Sequence, residues 1–309
     1  MAVSPYIGRF APSPTGLLHK GSLLAALASF LDARANDGQW LLRIEDIDPP
    51  REVPGAADRI LRQLDEHGLH WDEPVLYQSS RLSAYKYALQ QLNQAGLLYA
   101  CYCNRARLRT LGGCYDGACR QHQLCASTCT PNKPYAIRIQ LPEHSVITLD
   151  DLIQGPLVFD LSKAGDFILW RRDQLPAYQL ACSLDDGFQN VTHVIRGYDL
   201  LDSTPRQMHL LSSLGFATPQ YGHIPVLSNA QGQKLSKQNH APELNPDKTS
   251  SNLLDCLHLL SMPAPHELKY SRVEEVINWA IAHWRRHQIP SGTRVAESDS
   301  HGKLSQKDT

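Results

Sequence analysis

RFAPSPTGLLHKGS (residues 9–22) places two prolines and a glycine between an apolar strand signal, YIGRF (6–10), and an apolar run. In that run Leu23, Leu24, Leu27, Phe30 and Leu31 recur at helical spacing until Gly38 stops the pattern. The stretch is therefore a strand-to-helix turn that opens a helix near His19. Such a helix start at the carboxyl end of a strand offers unpaired backbone N–H groups and a positive dipole end, which suit phosphate. Pro12 and Pro14 stiffen the turn, Gly16 permits close approach, and His19 followed by Gly21 sets a donor imidazole beside a position where backbone can touch a ligand. Neither a G-x-x-x-x-G-K-[ST] loop nor a G-x-G-x-x-G after the first strand occurs.

Working outward, QWLLRIE (39–45) reads as a second strand, and helices are expected from Gly55 to His67 and from Leu82 to Ala95. From Leu98 to about Gly165 the pattern breaks into a cysteine cluster and short strands, YAIRIQL and GPLVFDL. Strand and helix signals resume with DFILW, THVIRG (192–197) and a helix after DSTPRQMHLLSSLG, capped by Asp202 or Ser203, begun by Pro205 and ended by Gly215. Alternating strands and helices imply an α/β fold whose parallel sheet is split by an insert and binds ligands at the strands' carboxyl ends. Boundaries are expected at residues 1–97 and 166–240 for the two halves of the sheet domain, and 98–165 for the insert. A short helical C-terminal region covers 241–290, and a polar tail over 291–309 is expected to lack order.

With 309 residues and 42% hydrophobic composition the chain can fill a sizeable core. Its formal net charge of -1 gives no global pull on a polyanion, so nucleic acid must be met by a local patch. The N-terminus has no basic-then-apolar leader, and no apolar run nears the roughly 20 residues that span a bilayer. A cytoplasmic protein without membrane contact is expected, and a monomer. Six of the eight cysteines fall between Cys101 and Cys129, a clustering that favours a metal over a disulfide framework. Cys182 and Cys256 lie in apolar runs and read as core. Between residues 101 and 134, Arg105, Arg107, Arg109, Arg120 and Lys133 against a lone Asp116 make the insert locally basic, suited to RNA phosphate.

A second segment, GQKLSKQN, carries Lys234, Ser236 and Lys237 after the strand-like HIPVL. Mobile lysines there suit a departing polyphosphate. Its pairing with HKGS across a split nucleotide-binding sheet resembles the two signature motifs of class I aminoacyl-tRNA synthetases. RFAPSPTG, RIEDIDPPR (43–51), YQLA (178–181), VIRGYDLLDSTPRQ and KLSK further resemble, in order, the glutamyl-tRNA synthetase catalytic core over residues 6–240. REVPGAADRIL, GGCYDGACR and KLSKQNHAP look most like its glutamyl-queuosine tRNA(Asp) synthetase branch, whose members lack an anticodon-binding domain. Only 72 residues follow Lys237.

The resemblance implies a Rossmann-like domain that joins L-glutamate to ATP and then to tRNA(Asp) carrying queuosine, with Mg2+ accompanying ATP and one structural Zn2+. Charging of the tRNA 3′ end, or nucleotide and RNA binding without catalysis, are the alternatives. Arg9, Ala11, Ser13, Glu45, Tyr178 and Arg196 would hold glutamate. Pro12, His19, Gly21, Ser22, Lys234, Ser236 and Lys237 would hold ATP, with His19 and Lys237 catalytic. The chemistry agrees: Arg9 offers a bidentate fork to a carboxylate, Arg196 a second cation, and Glu45 a partner for an ammonium. An Arg9 buried opposite a glutamine amide would be left unpaired at about 3–5 kcal/mol. Lys20 stands where the signature has an apolar residue, and its charge is expected to face solvent. For zinc the resemblance implies Cys101, Cys103, Tyr115 and Cys119, while Cys114, Cys125 and Cys129 leave a four-thiolate site open.

Overall fold

The computed structural model describes residues 5–112, 114–124, 134–228 and 243–296. The first half runs β1 (Ile7–Phe10), α1 (Lys20–Arg34), β2 (Gln39–Ile44), α2 (Ala56–Glu66), β3 (Asp72–Tyr77) and α3 (Leu82–Gln94). Then come β4 (Leu98–Cys101), α4 (Arg105–Thr110), β5 (Ala136–Ile139), the hairpin β6 (Val146–Asp151) and β7 (Gly155–Asp160), and β8 (Ile168–Trp170). The second half holds α5 (Tyr178–Phe188), β9 (His193–Gly197), α6 (Thr204–Ser213), β10 (Gln220–Ile224) and β11 (Val226–Ser228). It is followed by α7 (Thr249–Leu259), α8 (Val273–His283) and β12 (Arg294–Ala296).

β1, β2 and β3 pair in parallel, as do β9 and β10. The two halves meet where Ile7 N donates to Thr192 Oγ1 at 2.8 Å and Thr192 N to Ile7 O at 2.9 Å. Strands from both sides of the insert thus present their carboxyl ends, Phe10, Ile44, Gly197 and Ile224, along one edge. Gly38 lets the chain re-enter the sheet beside β1, because a Cβ there would lie 2.7 Å from Tyr6 O.

The apolar spacing that predicts α1 shows only part of its burial. Leu23, Leu24, Leu27, Phe30 and Leu31 are buried, and so are Ala26, Ala28, Ala33 and even Ser29 and Asp32. α1 lies between β1 and β9 on one side and α7 and α8 on the other, which explains why it has no polar face. Asp32 is kept inside by three donors: Tyr6 Oη at 2.5 Å, Trp284 Nε1 at 2.8 Å and Arg286 Nη1 at 3.0 Å. The chain just after α8 is therefore fastened to the last turn of α1.

β4, β5 and β8 form an antiparallel sheet, and the β6–β7 hairpin packs Leu149 against Val194 and Tyr221 below the parallel strands. Two local expectations change. Ser203 sits at the cap of α6 but makes no capping bond, since its hydroxyl accepts from Gln179 Nε2 at 3.0 Å. The tail expected to lack order from Ser291 instead enters β12, which pairs in parallel with β11. No helix among the described residues is long and apolar enough to cross a membrane.

Candidate active site

The turn after β1 delivers His19 to the N-cap of α1, where Nδ1 accepts from Ser22 N at 3.2 Å. A neutral ring held this way carries its proton on Nε2, which lies 3.1 Å from Ser22 Oγ. The helix start so presents backbone N–H groups, an imidazole donor and a hydroxyl to one volume. That volume is a cleft of about 670 Å³ at the carboxyl ends of the strands. Arg9, Ala11, Pro12, Ser13, His19, Gly21, Ser22, Glu45, Tyr178 and Arg196 all line it. Lys234, Ser236 and Lys237 lie outside the described residues.

Beneath the cleft is a buried ionic cluster that sequence reasoning did not anticipate. Asp186 receives Arg9 Nε at 3.1 Å and Nη2 at 3.2 Å, together with Arg43 Nη1 at 2.8 Å. Arg43 Nη2 is also 3.6 Å from Glu45 Oε1, and Arg43 is fully enclosed. Burial alone would raise the Asp186 carboxyl, but the two guanidinium groups hold it well below the usual carboxylate range. For Glu45 burial wins over Arg43 and Arg9, pushing it up to about 6. Burial likewise raises the Cys182 thiol to about 12. Cys182 is buried, as expected of a core residue, but among charged neighbours: its Sγ lies 3.6 Å from Arg43 Nη2 and 3.7 Å from Asp186 Oδ2.

The signal for Asp186 was present, since Tyr178, Cys182 and Asp186 recur every four residues on α5 and so share its inward face. The cluster corrects the reasoning about Arg9. Its charge is already balanced by Asp186, so a neutral amide would not leave it unpaired, and rejection of glutamine must come from lost charge-assisted bonds instead. Asp186→Asn should lower folding stability by about 3–5 kcal/mol, because Arg9 and Arg43 would lose the carboxylate that both hold. Denaturant unfolding measures this, and a loss below about 1 kcal/mol would mean that the remaining buried carboxylates suffice to balance both.

Lys20 departs from expectation too. Its Nζ pairs with Asp255 Oδ2 at 2.9 Å, joining the start of α1 to α7, with both side chains about a quarter exposed. Arg196 is held from every side: Nε donates to His223 Nε2 at 3.2 Å, Nη1 to Gln207 Oε1 at 2.8 Å and Nη2 to Thr204 Oγ1 at 2.7 Å. Burial pushes the Tyr178 phenol up, so it stays a neutral hydroxyl.

A separate cluster lies in the insert. The Sγ atoms of Cys101, Cys103 and Cys119 lie within 4.8 Å of one another. Tyr115 Oη is 3.6 Å from the thiols of both Cys101 and Cys103, which is itself 3.6 Å from Cys119 Sγ. Zn–S bonds near 2.3 Å and a Zn–O bond near 2.0 Å in a tetrahedron require ligand separations of about 3.5–3.8 Å. The donor set therefore fits zinc. Tyr115 is seated by Gly165, where φ is +68° and a Cβ would lie 2.6 Å from Tyr115 N. Cys114 is exposed and falls outside the group. Cys125, Cys129 and Lys133 are not among the described residues. The basic character of the insert is partly neutralised, since Arg107 pairs with Asp116 at 2.5 Å and Arg120 with Asp166 at 2.8 Å. Arg105 and Arg109 are exposed on α4.

A split parallel sheet with a capped helix start and a charged cleft at one edge fits the catalytic domain of a class I aminoacyl-tRNA synthetase. The chain belongs to this family: tRNA synthetases class I (E and Q), catalytic domain, match residues 7–281. Among curated relatives, the glutamyl-Q tRNA(Asp) synthetase of Cronobacter sakazakii is 49% identical over 94% of this chain and 96% of its own length. The protein of the same name from Escherichia coli is 48% identical, covering 96% and 94%. The fold is shared with a glutamate tRNA ligase from Elizabethkingia meningosepticum solved in complex with its amino acid. The TM-score is 0.80 at 24% identity, over 96% of this chain and 68% of that one.

Proposed function

We propose that this chain joins L-glutamate to ATP, forming glutamyl-adenylate without tRNA, and passes the glutamyl group to queuosine at the wobble position of tRNA(Asp). The observation that carries the first step is the convergence, in one cleft, of Arg9, Glu45, Tyr178 and Arg196 with the His19-capped start of α1. The name shared by relatives near 48% identity over almost the whole chain supports the second.

In this reading Arg9 uses the donors not committed to Asp186 for the substrate's side-chain carboxylate. Glu45 takes the ammonium, while Tyr178, Arg196, Ser13 and the Ala11 backbone complete the pocket. The α-carboxylate, already anionic, attacks the α-phosphorus, and pyrophosphate leaves carrying the bonding electrons. Charge developing on the phosphates meets the N–H group of Gly21, the Ser22 hydroxyl and the Nε2 proton of His19, with Pro12 shaping the turn. Lys237, with Lys234 and Ser236, neutralises the departing pyrophosphate, and Mg2+ accompanies the nucleotide. In the transfer step a queuosine hydroxyl attacks the acyl carbon, AMP leaves, and the hydroxyl proton is released. A zinc ion held by Cys101, Cys103, Tyr115 and Cys119 would brace residues 98–165 and take no part in the chemistry.

Glu45 sets a pH limit on this scheme. Only its ionised form holds an ammonium, and its raised value means that half is protonated near pH 6. Affinity for glutamate should therefore be flat above about pH 7 and fall toward tenfold per unit below about pH 6, a limit Glu45→Gln should abolish while weakening binding throughout. The KM for glutamate in pyrophosphate exchange reads this, and a profile flat down to pH 5 would remove Glu45 from ammonium binding.

The acceptor is tested with labelled glutamate, ATP, Mg2+ and total tRNA made with or without queuosine, each intact or trimmed of its 3′ adenosine. Label that requires queuosine and survives trimming is expected. Label indifferent to queuosine and lost on trimming would instead make this a minimal charging enzyme. Absence of both label and glutamate-dependent exchange would leave only nucleotide or RNA binding.

A further inference from the structure

The β6–β7 hairpin lies outside the cleft, yet the last residue of β6 reaches the arginine in the pocket wall through one intermediary. Asp151 on β6 takes His223 Nδ1 at 2.6 Å and His223 N at 3.1 Å. His223, on β10, faces Arg196 Nε at 3.2 Å and Thr204 Oγ1 at 3.0 Å with its other ring nitrogen. Asp151 and His223 have fully enclosed side chains. Arg196 Nε is a hydrogen-bond donor and nothing else, so the His223 Nε2 that faces it must be an unprotonated acceptor. The single ring proton then belongs on Nδ1, where Asp151 accepts it. Burial and the neighbouring Arg196 keep His223 neutral despite Asp151, and its hydrogen bonds hold the Asp151 carboxyl below the usual range against burial.

We propose that Asp151 is a positioning residue for the amino-acid pocket: by fixing the Nδ1–H tautomer of His223 it makes Nε2 the acceptor that aims Arg196 at the substrate. The inference rests on Arg196 contacting glutamate, and it assigns the inserted hairpin a part in substrate recognition. Asp151→Asn isolates the effect. The amide oxygen can still accept from Ile153 N and Gln154 N, which the carboxylate holds at 3.0 and 2.9 Å. Its NH2, however, now donates to Nδ1, drives the ring proton to Nε2 and sets that N–H against Arg196 Nε–H.

The test pairs pyrophosphate exchange with nitrogen NMR of ring-labelled histidine on the intact protein. Asp151→Asn is expected to raise the KM for glutamate roughly ten- to a hundredfold, the effect of one hydrogen bond to a charged group, with kcat and the KM for ATP within about threefold. The His223 signal should move from an Nδ1–H to an Nε2–H tautomer, which a merely structural role for Asp151 would not require. Arg196→Gln should raise the same KM at least as far. If Arg196→Gln raises the KM and Asp151→Asn does not, the relay is overturned and the function stands. If Arg196→Gln changes nothing, the reading of Arg196 falls and takes the relay with it. A wild-type His223 that is protonated on Nε2 overturns the relay whatever the kinetics, even if Asp151→Asn fails to fold.

Discussion

Arg9→Ala is expected to lower glutamate-dependent pyrophosphate exchange by on the order of a thousandfold in kcat/KM, the scale of losing one partner from a buried, hydrogen-bonded charge pair at about 4 kcal/mol. The cluster beneath the cleft explains why the loss should fall on substrate more than on folding. Asp186 keeps Arg43 at 2.8 Å, so no carboxylate is left alone. The pocket floor nevertheless goes from neutral to negative. Arg9 and Arg43 balance Asp186 and Glu45 in the intact protein, whereas the variant leaves two carboxylates facing one guanidinium. A substrate that brings its own carboxylate to this floor is then repelled. Thermal unfolding run alongside separates the two effects, and near-normal exchange would remove glutamate from the pocket.

The second large effect is expected from metal removal. Protein prepared without chelator should hold one zinc per chain, and stripping it should unfold the region around α4 while the parallel sheet survives. Tyr99, Cys101, Tyr115 and Cys119 are the buried residues of the small cluster there, and three of the four carry donor atoms that would hold the ion. With so little apolar surface, binding energy on the order of 10 kcal/mol has nothing to replace it. Hydrogen exchange before and after chelation would locate the loss. No stoichiometric zinc, or protection around Cys101–Cys119 unchanged by chelation, would show that side-chain packing holds the segment. Cys119→Ala should reproduce the loss and Cys114→Ala should not.

The elements that place the site were legible in the sequence because they are written in local code. Apolar spacing marks α1, glycines mark the ends of α2 and α3, and RFAPSPTG marks the turn between β1 and α1. The pairings that tune the site were not, because they join residues far apart in the chain. Arg9 meets Asp186 across 177 positions and Lys20 meets Asp255 across 235, and although spacing on α5 turns Asp186 inward, nothing local names its partner. An arginine at a strand end announces a cation but not whether the fold has already balanced it. The choice between Cys114 and Tyr115 was open for a similar reason: they are adjacent in sequence, and which of them is buried beside the three thiols depends on distant packing, Gly165 lying against the backbone of Tyr115 while Cys114 stays exposed. β12 escaped notice because three residues adding to a sheet edge leave no periodicity.

The contacts of α1 with α7 and α8 bear on how this molecule comes apart. Asp32 holds Trp284 and Arg286, Leu18 O receives Leu244 N at 3.2 Å, and Lys20 holds Asp255. Leu253, Cys256, Leu257, Val276 and Ala280 belong to the same apolar cluster as Leu23 and Leu27. Composition draws a line near residue 240, but cooperativity does not respect it. Cutting there would not release a smaller working unit. It would uncover the face of α1 that packs on α7 and α8, so the last two helices and the turn at His19 should melt together as one foldon.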